Sequence, residues 1–269
     1  MHHELEVARN AALKAGEILL DYYDKDYVVD DKGTSPMYSG LNPVTDADRA
    51  SDEYLRSILT SEFPEYGWFS EETKDSPERL SKSRVWIVDP LDGTKEYIDK
   101  VPMWVVSIAL VEDHDPIMGI LYNPETQEMF TAVKGRGSFL NGESVTCSEE
   151  IKPAKMVILN SRTEVRDGLW LPFKGAFKEL KAVGSVAYKL GLTATGQADI
   201  FATLCPKNEW DVCAGHCIVN EAGGTMIDLN GRGVTYNNKN SLFSPGLVAG
   251  NQEAVENTFQ LLVAKVSEI

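Results

Sequence analysis

Trp86-Ile87-Val88-Asp89-Pro90-Leu91-Asp92-Gly93-Thr94 opens as a buried strand and ends as something else. Val85 to Val88 is apolar and partly β-branched, short enough for a strand covered on both faces. Such a strand has no packing use for the acid at its end, Asp89. Pro90 fixes φ and removes a backbone donor, so the ladder is expected to stop there. Asp92-Gly93 supplies a tight turn. Thr94 is expected to cap a helix over Lys95-Glu96-Tyr97-Ile98. Two carboxylates, a freed carbonyl at Leu91 and a hydroxyl are gathered within one turn. Oxygen donors in that density suit a hard divalent cation such as Mg²⁺. A strand-to-helix turn with a cap is the structural alternative, and the second acid at the strand end speaks against it.

Outward from this stretch the chain divides. Upstream, residues 4 to 23 form an amphipathic pattern through Leu5, Ala8, Ala12, Ala15, Leu19 and Tyr22. Asp30 to Pro43 is polar and long for a connection, which reads as a lid or as a slack surface loop. Thr45 or Asp46 caps a second helix carrying Asp46 and Asp48 in its first turn, where acids also favour the helix dipole. Tyr66 to Phe69 then leads into the adjacent acids Glu71 and Glu72. Downstream, three runs between Val105 and Val133 are broken at Asp113-His114-Asp115-Pro116 and Asn123-Pro124-Glu125-Thr126, an antiparallel meander. From Ser148 strands and helices alternate, ending in a helix from Glu253. The expected architecture is mixed α/β: an α+β half over residues 1–147 and an α/β half over 148–269, joined as one catalytic unit.

The chain has 269 residues, 43% of them hydrophobic, enough for a large core, and no apolar run long enough to span a bilayer. No apolar signal segment opens it, so a cytoplasmic location is expected. A formal net charge of −15 argues against nucleic-acid or membrane-surface partners, which need a basic face. Cys147, Cys205, Cys213 and Cys217 show no zinc-ribbon spacing and read as buried, reduced thiols. Cys213 and Cys217 with His216 between them are the weaker alternative, a metal site.

Each acid singled out has a structural explanation alone. Together, Asp48, Glu71, Asp89, Asp92 and Asp211 all fall at ends of elements, where side chains converge. Three segments carry a resemblance: Ser70-Glu71-Glu72, Asp89-Pro90-Leu91-Asp92-Gly93-Thr94 and Trp210-Asp211-Val212-Cys213-Ala214-Gly215. In order and spacing they resemble the Mg²⁺-dependent, lithium-sensitive phosphatases: inositol monophosphatase, fructose bisphosphatase and the 3'(2'),5'-bisphosphate nucleotidases. The resemblance implies a layered αβαβα sandwich. It assigns Glu71, Asp89 and the Leu91 carbonyl to one metal, and Asp89, Asp92 and Asp211 to a second. The choice of Glu71 over Glu72 follows from matching the family's first Glu. Thr94 would orient the attacking water with Asp48 as partner, and the Asp30 to Pro43 loop would be the active-site flap.

The resemblance further implies two or three Mg²⁺ per site, Mn²⁺ as a substitute, Ca²⁺ and Li⁺ as inhibitors, a small phosphorylated substrate and a homodimer. Thr94-Lys95-Glu96 is similar to the bisphosphate nucleotidase branch. Gly184, Ser185 and Lys189 resemble the segment meeting the organic part of that branch's substrate, alongside Gly93 and Thr94. Lys189 reads equally as a solvated helix lysine. The inositol branch carries a Glu where Leu204 stands; Glu209 is a partial replacement. Removal of the 3'-phosphate from adenosine 3',5'-bisphosphate or its sulfated form is the expected activity. Inositol or sugar phosphates, the 2'-phosphate of NADP, and a catalytically inactive cation-binding protein are the alternatives. The last predicts a missing ligand, and none is missing.

Overall fold

The computed structural model describes residues 1–33 and 42–266. The chain begins with helix α1 (His2–Tyr23), a strand pair β1 (Val29–Asp31) and β2 (Pro43–Thr45), and helix α2 (Asp46–Glu62). Strands β3 (Gly67–Ser70) and β4 (Arg84–Asp92) follow, then the short helix α3 (Thr94–Ile98). The meander is β5 (Val105–Glu112), β6 (Asp115–Asn123), β7 (Glu128–Val133), β8 (Ser138–Leu140) and β9 (Glu143–Val145). Strands β3 to β9 form one seven-stranded sheet in sequence order. Its pairs are antiparallel except β3 and β4, which run parallel.

The rest of the chain supplies β10 (Val157–Ser161), α4 (Arg162–Arg166), β11 (Glu179–Val183), α5 (Val186–Ala194) and β12 (Ile200–Thr203). After them come β13 (Lys207–Asn208), α6 (Glu209–Glu221), β14 (Gly224–Asp228), β15 (Leu242–Phe243), β16 (Leu247–Asn251) and α7 (Gln252–Val266). A five-stranded sheet has the order β11-β10-β12-β16-β14. Its first three strands are parallel and β16 runs antiparallel to both neighbours.

Period-two alternation sorts each central strand between two cores. Trp86 and Val88 of β4, with Val106, Ile108 and Leu110 of β5, pack against Leu19 of α1 and Leu55 of α2. Val85, Ile87, Val105 and Ala109 point the other way, into a core shared with Leu190 of α5 and Val212 and Ile218 of α6. That core continues through Leu159, Phe201 and Ala249 of the second sheet. The opposite face of the second sheet, Ile158, Ile200 and Val248, meets Val255 and Leu262 of α7 together with Trp170 and Phe173. The layers are therefore helix, sheet, helix, sheet, helix, as the resemblance implies. Helix α6 lies in the central layer, and β6 admits it by a glycine. A Cβ on Gly119 would stand 2.3 Å from the Ala214 carbonyl oxygen.

Two local expectations are overturned. Pro90 does not end the ladder: β4 continues to Asp92. Asp89 pairs with Ser107 and Asp92 with Val105, so three steps on β4 oppose two on β5. A bulge absorbs the missing donor and kinks the strand. The polar connection from Asp30 to Pro43 is not loop at its ends, where Val29–Asp31 pairs with Pro43–Thr45. The flap expected between them lies largely in 34–41, outside the described residues. Among the described residues no helix is long and apolar enough to cross a membrane.

Candidate active site

Register brings the acids together. Ser70 of β3 lies beside Val88 of β4, and the Glu71 N–H donates to the Val88 carbonyl at 3.3 Å. Glu71 therefore leaves its strand next to Asp89. Asp211 enters from the first turn of α6, where the Asn208 N–H donates to its Oδ2 at 2.7 Å. One carboxylate oxygen from each of Glu71, Asp89 and Asp211 falls within 4.8 Å of the others. Among the described residues this is the one such group of His, Cys, Asp or Glu. Cys213, His216 and Cys217 do not form one, and all four cysteines are free thiols.

The remaining expected ligands lie on the same cleft of about 380 Å³. Asp92 is held on the first turn of α5: its Oδ2 accepts from Ser185 Oγ at 2.6 Å and from the Ala187 N–H at 2.5 Å. Leu91 lines the cleft as well. Glu71 rather than Glu72 belongs to the cluster, although both carboxylates receive the Lys32 ammonium, Glu71 at 2.8 Å. Nothing in the sequence marks Lys32, because a lysine in a polar stretch is ordinarily solvated.

Packing these charges together has a cost that appears in their proton affinities. Burial, then the neighbouring charges of Glu71, Asp92 and Asp211, holds the Asp89 carboxyl well above the usual carboxylate range. Burial, then Asp92 and Glu71, pushes Asp211 up to about 8. Burial raises Asp92 to about 6 against the hydrogen bonds from Ser185 and Ala187. Burial and then Glu71 raise Glu72 to about 7 despite Lys32. Carboxylates crowded in this way keep their charge only beside a cation. The donors are all oxygens, so the cluster fits a hard divalent ion such as Mg²⁺.

Thr94 is not the helix cap. Gly93 takes that position with φ 104°, and a Cβ there would meet the Met103 carbonyl oxygen at 2.9 Å. The turn thus requires glycine and leaves the Thr94 hydroxyl unspent on capping. Its Oγ1 lies 3.0 Å from Asp48 Oδ1 and 3.2 Å from the Leu91 carbonyl oxygen. With one proton it donates to one of them at a time. Asp48 also completes a capping box, its Oδ2 accepting from Thr45 N–H at 2.8 Å and Thr45 Oγ1 at 2.5 Å. The capping bonds and the bond to Thr94 fall on different oxygens of Asp48, and burial raises its carboxyl to about 6. Asp46 is elsewhere, accepting the Val28 N–H at 3.1 Å. Asp52, one turn beyond Asp48, escaped the sequence reading. It accepts from Ser70 Oγ and, at 2.6 Å, from Thr73 Oγ1, on either side of Glu71 and Glu72. Its spacing from Asp48 on one helix face was the available signal.

Gly93, Gly184, Ser185 and Lys189 all line the cleft. Glu96 presses on Gly184, where a Cβ would stand 2.2 Å from Glu96 Cγ. Lys189 is not a solvated helix lysine. It is 2% exposed, and its ammonium donates to the carbonyls of Val183 at 3.0 Å, Gly184 at 3.4 Å and Ser185 at 2.7 Å. Burial lowers it to about 8 against the attraction of Asp92 and Glu96. The expectation for Glu209 fails. Its carboxylate accepts from Asn237 N–H at 2.7 Å, Asn238 N–H at 2.9 Å and Asn238 Nδ2 at 3.1 Å, and it lines no part of the cleft. Leu204 packs into the outer core. Cations the sequence did not mark, Arg162 and Lys207, line the wall with Lys95. Arg162 also bonds Glu96 at 3.0 Å, and Lys207 donates to the Pro206 carbonyl at 3.0 Å.

A sandwich of this topology surrounds a buried carboxylate cluster with a Thr–Asp pair beside it, and the family and relatives it matches make it a metal-dependent phosphoric monoester hydrolase. The model of the inositol monophosphatase family matches residues 1–267, and the chain belongs to that family. Inositol monophosphatase 2 of Solanum lycopersicum is 34% identical over 244 residues, covering 86% of this chain and 89% of that protein. The 3'(2'),5'-bisphosphate nucleotidase CysQ of Escherichia coli is 31% identical over 248 residues, 90% of this chain and 95% of that one. Among solved structures, the Thermotoga maritima IMPase superposes with a TM-score of 0.85 at 26% identity, covering 100% of this chain and 99% of that chain.

Proposed function

We propose that the chain removes the 3'-phosphate of adenosine 3',5'-bisphosphate, or of its sulfated form, with Mg²⁺ held by Glu71, Asp89, Asp92, Asp211 and the Leu91 carbonyl. The observation that carries the substrate is the cleft wall. Lys95, Arg162 and Lys207 line it, while Glu209, the acid available for sugar hydroxyls, is turned away and Leu204 offers no replacement. Cationic groups suit a substrate with a second anionic phosphate. Thr94-Lys95-Glu96 supports the same branch.

When bound, Mg²⁺ polarises the phosphoryl oxygens and stabilises the attacking and leaving oxygens of an in-line displacement. Thr94 Oγ1 accepts a hydrogen bond from the attacking water and, by its own bond to Asp48, orients the lone pair toward phosphorus. Asp48, with its carboxyl at about 6, is ionised at neutral pH and takes the proton handed on through Thr94. The water oxygen bonds to phosphorus, the ester P–O bond breaks, and the leaving oxygen departs protonated by solvent. No covalent phosphoenzyme is required. The family relationship to inositol monophosphatases supports a second reading, hydrolysis of inositol 1-phosphate at the same carboxylates.

Phosphate release from adenosine 3',5'-bisphosphate, NADP, inositol 1-phosphate and fructose 1,6-bisphosphate, with Mg²⁺ or with EDTA, separates these readings. The expected result is a kcat/KM preference for the bisphosphate nucleotide of about a hundredfold, roughly 2.7 kcal/mol of discrimination. Preference for inositol 1-phosphate overturns the substrate, and turnover surviving EDTA overturns the metal assignment.

A further inference from the structure

Glu209 turns from the cleft toward a buried network that also holds Arg79, Asn237 and Phe69, none of which lines the cleft. Arg79 stands in the turn Pro77–Ser81 after β3 and is 3% exposed. Its guanidinium carbon lies 3.9 Å from the centroid of the Phe69 ring. The Phe69 ring meets Trp210 edge-on at 5.1 Å and 62°. Phe69 is two residues before Glu71, and Trp210 is the residue before Asp211. An Arg–Phe–Trp stack therefore spans from β3 to α6, between the strand that delivers Glu71 and the helix that delivers Asp211.

The same arginine closes the network from its other side. Nε and one terminal nitrogen bond Asp75 at 2.7 and 3.1 Å. The other terminal nitrogen donates to Asn237 Oδ1 at 2.8 Å, and the one bonded to Asp75 also donates to the Asn238 carbonyl at 3.0 Å. Asn237 Nδ2 returns a bond to the Arg79 carbonyl at 3.2 Å. The backbone N–H groups of Asn237 and Asn238 are those that hold Glu209 in the first turn of α6. The segment at 237–238 is thus gripped by the turn after β3 on one side and by the start of α6 on the other.

We infer that Arg79, Glu209 and Asn237 form a clamp that sets the separation of Glu71 and Asp211, and through it the affinity of the cluster for a divalent cation. The inference rests on the metal reading of those carboxylates. Like charges at this distance move apart unless the elements carrying them are held, and a cation site tolerates little play in its donors. A planar guanidinium both stacks on Phe69 and fans its donors to three acceptor groups; a lysine ammonium does not. Arg79 is a positioning residue: it acts on the cation through the elements it holds.

The test is Mn²⁺ binding to the substrate-free full chain, followed by electron paramagnetic resonance, for wild type, Arg79→Met, Arg79→Lys and Asn237→Ala. The Mg²⁺ concentration for half-maximal activity, kcat at saturating Mg²⁺, and Tm are measured in parallel. Arg79→Met is expected to weaken Mn²⁺ binding ~10- to 100-fold, the range for residues that orient ligands from behind. Arg79→Lys restores only part of that loss, and kcat at saturating Mg²⁺ recovers to within about twofold of wild type. If Arg79→Met does not fold, Asn237→Ala carries the same expectation at the low end of that range, about tenfold. A fall in Tm with Mn²⁺ affinity unchanged in the folded variants overturns the clamp and makes the network purely structural. Wild type failing to bind Mn²⁺ overturns the metal reading itself, and the clamp with it.

Discussion

Asp89 and Thr94 sit five positions apart on one bulge and turn, yet their environments give them different work. Asp89 is wholly buried among acids, so its charge is costly without a cation. Asp89→Asn should cut kcat/KM by ~10³ or more while leaving the metal-free protein equally or more stable, because a neutral amide needs neither a cation nor a bound proton to be buried among these acids. Thr94 touches Asp48 and the Leu91 carbonyl but none of the three clustered carboxylates. Thr94→Ala should lower kcat by ~10² to 10³ with the half-maximal Mg²⁺ concentration kept, as removal of a proton relay does. Steady-state rates across a Mg²⁺ titration, with melts of each variant, separate the two. Unchanged kcat in Thr94→Ala would remove Thr94 from the chemistry.

Helix α6 is the element on which site and fold both depend. It brings Asp211 to the cluster, fills the layer between the two sheets, and approaches β6 across Gly119. In Gly119→Ala the new methyl would stand 2.3 Å from the Ala214 carbonyl oxygen and 3.1 Å from Cys217 Cβ. Backbone cannot give way as a flexible side chain does, so the helix must lift. The expected loss is about 3 kcal/mol, a fall in Tm of about 6 to 12 °C. Gly233→Ala, where nothing lies within 4 Å and φ is not in the left-handed region, is the control and should melt like wild type. Equal melts of the two variants would show that α6 is not pressed on the sheet. The close approach of α6 to β6 was not legible, since Gly119 looks like any glycine within a strand until the opposing carbonyl is known.

At the scale of the molecule, the central core determines a response to acid. His216 of α6 is buried with Nδ1 2.9 Å from Tyr236 Oη, and burial lowers its pKa to about 4. Its folded value lies below the unfolded one of about 6.5, so the unfolded chain binds the extra proton first. The neutral imidazole's contribution is complete above that value and is lost as pH falls toward 4, about 3 kcal/mol in all. Stability measured by urea unfolding should therefore fall more steeply between pH 6.5 and 4.5 in wild type than in His216→Gln. Parallel curves for the two proteins would place the acid sensitivity elsewhere.

The mixed α/β alternation, the meander, and the identity of the acids at element ends were determined by the sequence itself, because hydrophobic period, turn residues and caps act over a few positions; the layering was expected only from the family resemblance. The Asp89-to-Thr94 stretch even carried its own bulge, though Pro90 was read as a stop and Thr94 as a cap. Distance and orientation were decided only in three dimensions. Glu71 comes beside Asp89 through parallel pairing of β3 and β4, and Glu209 turns away because Asn237 and Asn238 offer it backbone donors. Lys189 is buried because three carbonyls at one turn satisfy its ammonium. Arg79 and Asn237 meet across 158 positions of sequence, a separation at which no local pattern carries information. Which residues hold charge was written locally; how close those charges stand is a property of the packed layers, since only packing fixes the elements that carry them.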